Sequence, residues 1–188
     1  MTLTILDKQL DKQLLEAAAN GNNAEVGRLL NSGANVDFQN VEGYSPLHCA
    51  AENGHAKIVD LLIEAGANVD AKDADQQTPL RVAVEFVNAE VLAVLIAKGA
   101  DVNAKDINNE GLLYDTQAGS DIYNRFIPAV AERIFTSQSN KPLKLEDIQD
   151  ERQRKAVEAR LRELQGEHVG SHAAKVAAEG QSVPSPCR

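Results

Sequence analysis

The stretch Gly43 to Asp75, GYSPLHCAAENGHAKIVDLLIEAGANVDAKDAD, and the stretch Gln76 to Asn108, QQTPLRVAVEFVNAEVLAVLIAKGADVNAKDIN, superimpose at an interval of 33 residues without a gap. Shifting back by the same interval aligns Leu14, Ala17, Asn20, Gly21, Val26, Leu29, Leu30 and the run Gly33-Ala34-Asn35-Val36-Asp37 with their counterparts, which gives an earlier copy. A period of this length describes a unit too small to bury its own apolar face. Such units are stable only when stacked, so the chain is constrained to a repeat architecture in which each copy covers the next.

Each copy carries the same punctuation, and each mark has a mechanical reason. Pro46 and Pro79 suit a first helical turn, where a missing N–H is not needed, and Ser45 and Thr78 before them can cap the free donors. Small residues at Ala17-Ala18, Ala50-Ala51 and Ala83 let first helices approach closely, while Val59, Leu62 and Ile63 form the apolar stripe of a longer second helix. Gly33, Gly66 and Gly99 sit just past the last apolar turn, where a left-handed C-cap costs glycine little. The chain then extends: Val36, Val69 and Val102 point inward, and polar residues such as Asp70-Ala71-Lys72-Asp73 form a hairpin-like loop toward the next copy.

The run SPLHCAAENGH at Ser45 to His55, together with LLIEAGANVD at Leu61 to Asp70, resembles the ankyrin repeat. The resemblance implies an all-α solenoid of helix-turn-helix units with hairpin-like loops. It covers a domain at 1–137 with repeats at about 10–42, 43–75, 76–108 and 109–137, the first and last acting as caps. Departures fall in the third and fourth copies. The third has Gln76 for the turn glycine, Arg81 for His48, and Phe86-Val87 where Asn53-Gly54 stood, so its inter-helix turn is expected to be altered or lengthened into helix. The fourth, NEGLLYDTQAGSDIYNRFIPAVAERIF, keeps Leu113 but loses the Thr-Pro start and gains Pro128, as suits a terminal unit whose outer face meets water.

Composition supports helices over a sandwich, since aromatics make up only 4% of the chain and tryptophan is absent. The net charge of −9 is unevenly placed, with 10 basic and 20 acidic residues in 1–137 against 9 and 8 beyond. An acidic surface repels phosphate, so neither nucleic acid nor an anionic membrane is an expected partner. Asp7, Lys8, Asp11 and Lys12 interrupt the leucines of the N-terminus, which therefore reads as neither a signal peptide nor a membrane span. Cys49 and Cys187 are too few for a disulfide framework. A soluble, cytoplasmic, monomeric repeat domain without a cofactor is the expectation.

Past a polar boundary at Ser137 to Pro142, residues 138–165 read as a linker and a charged helix. Within it, Glu151 with Lys155 and Glu158 with Arg162 form favourable i, i+4 pairs beside a short stripe of Val157, Leu161 and Leu164. The stripe either docks on the last repeat or pairs with a partner helix. Residues 166–188 turn to Gly, Ser, Ala, His and Pro without periodicity and are expected to be disordered.

Groups that carry chemistry elsewhere have plainer readings here. His48 and Cys49 follow one another on a helix and cannot face each other as base and thiolate, so a capping histidine beside a buried thiol is expected. His168 and His172 have ligand-like spacing but no third ligand nearby, and Cys187 does not fit the prenylation pattern because one residue follows it. Asp73 with Asp75 and Glu85 with Glu90 lack a visible pocket or activating neighbour and read as solvated charges, so no catalytic or metal site is expected.

Binding is the remaining function. The ankyrin resemblance implies a concave face of finger tips and inner-helix ends. These correspond to Val41, Glu42, Tyr44, Glu52 and Asn53, then Ala74, Asp75, Gln77, Glu85 and Phe86, then Ile107, Asn108 and Glu110. Tyr44 and Phe86, large aromatics at solvent-facing positions, are the expected interface anchors, although Phe86 tucked beneath the next repeat is the competing reading. The acids around them suit a protein partner with a basic patch. A scaffold-like interaction module follows. The alternatives are a sequestering inhibitor or secreted effector acting through the tail helix, and a regulatory subunit that self-associates through it.

Overall fold

The computed structural model describes residues 2–112, 124, 126–131, 145–149 and 151–164, with side-chain surroundings from Lys8 onward. Most of the fourth unit, Leu113, His168, His172, Cys187 and the 166–188 tail lie outside the described residues.

Three helix pairs succeed one another: α1 (Thr2–Ala19) with α2 (Asn23–Asn31), α3 (Pro46–Glu52) with α4 (Ala56–Glu64), and α5 (Pro79–Glu85) with α6 (Ala89–Ala97). First helices pack on first helices and second on second, giving two layers. The alanines make this possible: Ala18, Ala50, Ala51 and Ala83 are fully buried, with no side chain long enough to hold the helices apart. Val26, Leu29, Ile58, Val59, Leu62, Val91, Leu92, Leu95 and Ile96 fill the space between the layers, all at 0% exposure, and form one continuous core. The expected caps are present, with Ser45 Oγ accepting the His48 N–H and Thr78 Oγ1 accepting that of Arg81. The first unit differs from expectation at its start: α1 runs back to Thr2 rather than beginning near Leu10.

The fingers between pairs share one construction. In each, the first residue's N–H bonds the carbonyl four residues on: Asn40 to Tyr44, Asp73 to Gln77 and Asp106 to Glu110, at 3.1–3.2 Å. The side chain of that first residue accepts two N–H groups of the loop. Asn40 Oδ1 takes Glu42 and Tyr44, Asp73 Oδ1 takes Asp75 and Gln77, and Asp106 Oδ1 takes Asn108 and Glu110. Asp73 is therefore a buried structural acceptor, not the solvated charge its sequence neighbourhood suggests.

A second series of bonds ties one repeat to the next. Asp37 and Asp70 accept the N–H groups of Asn68 and Asp101 in the following repeat at 2.9 and 2.7 Å, while Asp11 accepts that of Asn35 at 2.7 Å within the first unit. Asn103 stands where Asp70 stood one repeat earlier, and its Oδ1 accepts the N–H of Gln149 at 3.0 Å. The C-terminal segment thus takes the bond that a further repeat would make. A 3-10 turn, Leu145–Asp147, leads into a helix at 151–164, whose Val157 is fully buried together with Ile148. Leu161 and Leu164 pack against the same core. Of the two fates open to the apolar stripe, the structure takes docking on the array. Both i, i+4 ion pairs form, Glu151 with Lys155 at 2.7 Å and Glu158 with Arg162 at 3.7 Å.

Positive φ angles recur in register. Gly43, Gln76 and Asn109 occupy one turn position at 79°, 60° and 63°, and Gly21, Gly54 and Val87 another at 75°, 76° and 59°. The third repeat therefore does not lengthen its inter-helix turn into helix. Glu85 ends α5, Ala89 starts α6 as Ala56 starts α4, and Val87 adopts the left-handed conformation that glycine holds elsewhere.

Candidate functional site

Adjacent fingers are joined edge to edge. Ala74 N–H donates to the Glu42 carbonyl at 3.1 Å and Ile107 N–H to the Asp75 carbonyl at 3.0 Å, which sets Val41, Ala74 and Ile107 at equivalent tips of three neighbouring loops. Val41 is fully exposed and Ile107 64% exposed, and Ala74 between them is also open to solvent. Glu42, Asp75 and Asn108, the next residue in each finger, are exposed as well.

Beneath the fingers, the inner helices contribute a second set. Asn53 and Glu85 are exposed, Glu52 is half-buried, and Phe86 is 47% exposed, so it is not tucked away in the core. Asn53 Nδ2 donates to the Cys49 carbonyl at 2.9 Å and so finishes its own helix. Gln77 and Glu110 are half-buried because their backbones close the fingers, and the Gln77 carbonyl receives His48 Nε2 at 3.1 Å.

Tyr44 corrects an expectation. It is half-buried and packs on the core, its ring lying 5.3 Å from that of His48 at a 35° tilt, so it is not a free solvent-facing anchor. Burial, and after it the charges of Glu52, Asp73 and Glu85, push its hydroxyl up to about 12. Burial likewise raises the Cys49 thiol to about 11, with Glu52 and Glu42 adding to the effect. Cys49 is half-buried rather than buried, and such a thiol is a poor nucleophile at neutral pH. Burial and the Glu52 charge are the causes that the two shifts share.

His48 has the capping role expected of it. Its Nδ1 accepts the Ser45 N–H at 3.3 Å and lies 2.8 Å from Ser45 Oγ, while Nε2–H points to the Gln77 carbonyl. That arrangement describes a neutral ring, and burial accordingly holds its pKa below the ordinary imidazole range. Arg81 does the equivalent work one repeat later: its NH1 reaches the Gly111 and Leu112 carbonyls at 3.1 Å, and NH2 lies 3.7 Å from Asp106. The sequence marks Arg81 as a departure, but the structure shows a longer side chain bridging to the next loop.

The sequence reading missed Val87, which is 59% exposed beside Phe86. Its signal was the loss of glycine at a turn whose two earlier copies keep it. Among the described residues, no group of three or more His, Cys, Asp or Glu side chains could hold a metal ion, and no helix is long and apolar enough to cross a membrane.

None of the curated proteins compared with the chain matches it. A family model for ankyrin repeats matches residues 14–106 in three copies, within the span of the three helix pairs and their fingers. Residues 14–106 are thus a run of three ankyrin repeats.

Proposed function

We propose that the protein binds a partner protein across its finger tips and inner-helix ends, and that the partner offers a basic surface. Ankyrin repeats generally mediate protein–protein interaction. The observation that carries the reading here is apolar side chains left uncovered among acids: Val41, Ile107 and Phe86 are exposed beside Glu42, Asp75 and Glu85. Apolar contacts surrounded by charge are the pattern of an interface in which the apolar groups supply affinity and the charges steer encounter. The fingers are ordered by their own hydrogen bonds, so little conformational entropy is lost when a partner settles on them.

Affinity capture from native lysate tests this with the wild type beside a Val41→Ser, Phe86→Ser, Ile107→Ser variant. All three side chains are exposed, so the variant folds. A protein retained by the wild type and lost from the variant supports the reading, and equal retention by both refutes it.

A further inference from the structure

We infer that the α5–α6 turn at Phe86-Val87 is the apolar anchor of the binding face, and that it receives a large nonpolar side chain from a lysine- or arginine-rich segment of the partner. The inference rests on the protein-binding reading and names the point of contact within it.

Three inter-helix turns occupy one register, and the first two solve the backbone problem with glycine. Gly21 and Gly54 lie in the left-handed region, and an added Cβ would stand 2.7 Å from the His55 ring and 2.9 Å from Asn88 Oδ1. Those side chains hold the neighbouring repeats together, His55 Nε2 meeting the Ala19 carbonyl at 3.0 Å and Asn88 Nδ2 the Ala51 and Glu52 carbonyls at 2.7 Å. Glycine there satisfies both the turn and its neighbour.

The third turn breaks the pattern at two costs to stability. Val87, a β-branched residue, takes φ 59°, a conformation in which its side chain crowds the backbone. Phe86 and Val87 also leave 47% and 59% of themselves in water, where apolar surface gains nothing. Asn53-Gly54, one repeat earlier, performs the same turn without strain or apolar exposure. A pair that costs the fold twice, and that the protein's own sequence shows to be replaceable, points to a role outside folding.

The charges around the turn define the occupant. Glu85 precedes it, Glu52 holds the equivalent place one repeat earlier, and Glu90 is exposed on α6. Lys57 is the one cation lining the adjoining cleft of about 210 Å³, which Gly54, His55 and Glu90 also border. Lys98 is engaged with Asp60 and Glu64, and Arg81 with the next loop. A cationic segment with one large apolar side chain complements three carboxylates around an apolar step.

The probe is a fluorescein-labelled 14-residue amphipathic peptide of leucine and lysine, with a serine-for-leucine version of equal charge. Binding to the full chain is read by anisotropy alongside Tm, for wild type, Phe86→Asn with Val87→Gly, and Glu52→Gln with Glu85→Gln. The leucine peptide binds wild type, and the Asn-Gly variant raises Tm by about 3 °C while weakening binding at least about ten-fold. The serine peptide binds wild type as weakly as the leucine peptide binds that variant. If the Glu-to-Gln pair weakens binding while the Asn-Gly variant binds like wild type, the basic-partner reading stands and this anchor is wrong. A leucine peptide that fails to bind wild type, or an Asn-Gly variant less stable than wild type, also overturns the inference.

Discussion

Replacing Gly43 with alanine separates two demands that the finger places on its turn residue. At φ 79°, any L side chain bears the cost of the left-handed region, about 1 kcal/mol for alanine. Gly66 has this demand alone, since its φ is 96° but nothing lies within 4 Å of an added Cβ. At Gly43 the Cβ would stand 2.6 Å from the Ala74 nitrogen and 2.9 Å from the Asp73 backbone. Backbone cannot swing aside as a side-chain tip does, so the fingers must part. Overpacking adds about 1–3 kcal/mol and disturbs the bond from Ala74 N–H to the Glu42 carbonyl, worth about 1 kcal/mol. Gly43→Ala is therefore expected to lose about 3–5 kcal/mol, Gly66→Ala about 1, and Gln76→Ala, in the same register at φ 60° but already bearing a Cβ, close to none. Urea unfolding followed by circular dichroism measures all three. A Gly43→Ala loss equal to that of Gly66→Ala would show that close approach of the fingers does not limit this turn.

His48 is held neutral by burial, whereas in the unfolded chain its imidazole takes up a proton near about pH 6.5. Below that pH the unfolded state binds more protons, so stability falls with acidification through this window, and His48→Gln shows a shallower decline in urea midpoint between about pH 7 and 5. Parallel curves would rule the linkage out. With Cys187→Ser removing the other thiol, iodoacetamide modifies Cys49 at pH 8 about a hundred-fold more slowly in the native than in the denatured chain, because burial raises that thiol to about 11. Comparable rates would contradict the burial. Val157→Asp places a carboxylate in a fully buried site and so releases the helix at 151–164, which mass spectrometry detects as early tryptic cleavage at Arg152, Arg154 and Lys155. Unchanged cleavage would mean that Val157 does not hold the helix to the array.

Much of the repeat was legible because it is written in local chemistry. Ser45-Pro46 and Thr78-Pro79 start helices through their own backbone groups, and Gly33, Gly66 and Gly99 end them through their own conformational freedom. The alignment of the finger tips was legible in outline through the register of the repeats. Its composition was harder to read: Tyr44 occupies a face position but packs on His48, and Gln77 and Glu110 spend their backbones closing loops. Asp73 looked like one more surface acid because its partners are N–H groups, which every residue except proline carries and no sequence pattern distinguishes.

By itself, the sequence determined the period, the Ser-Pro and Thr-Pro helix starts and the apolar stripes, since each depends on residues within a turn or two of one another. Only the tertiary structure decided which turns tolerate a side chain. Gly54 must be glycine because Asn88 arrives above it from the next repeat, whereas Val87 keeps its side chain in solvent. The tertiary structure also decided the fate of the tail helix, because Asn103 accepts Gln149 from 46 residues away. The physical reason is the same in both cases: a hydrogen bond or a steric contact between distant residues exists only after the chain has stacked, and local propensity carries no record of it.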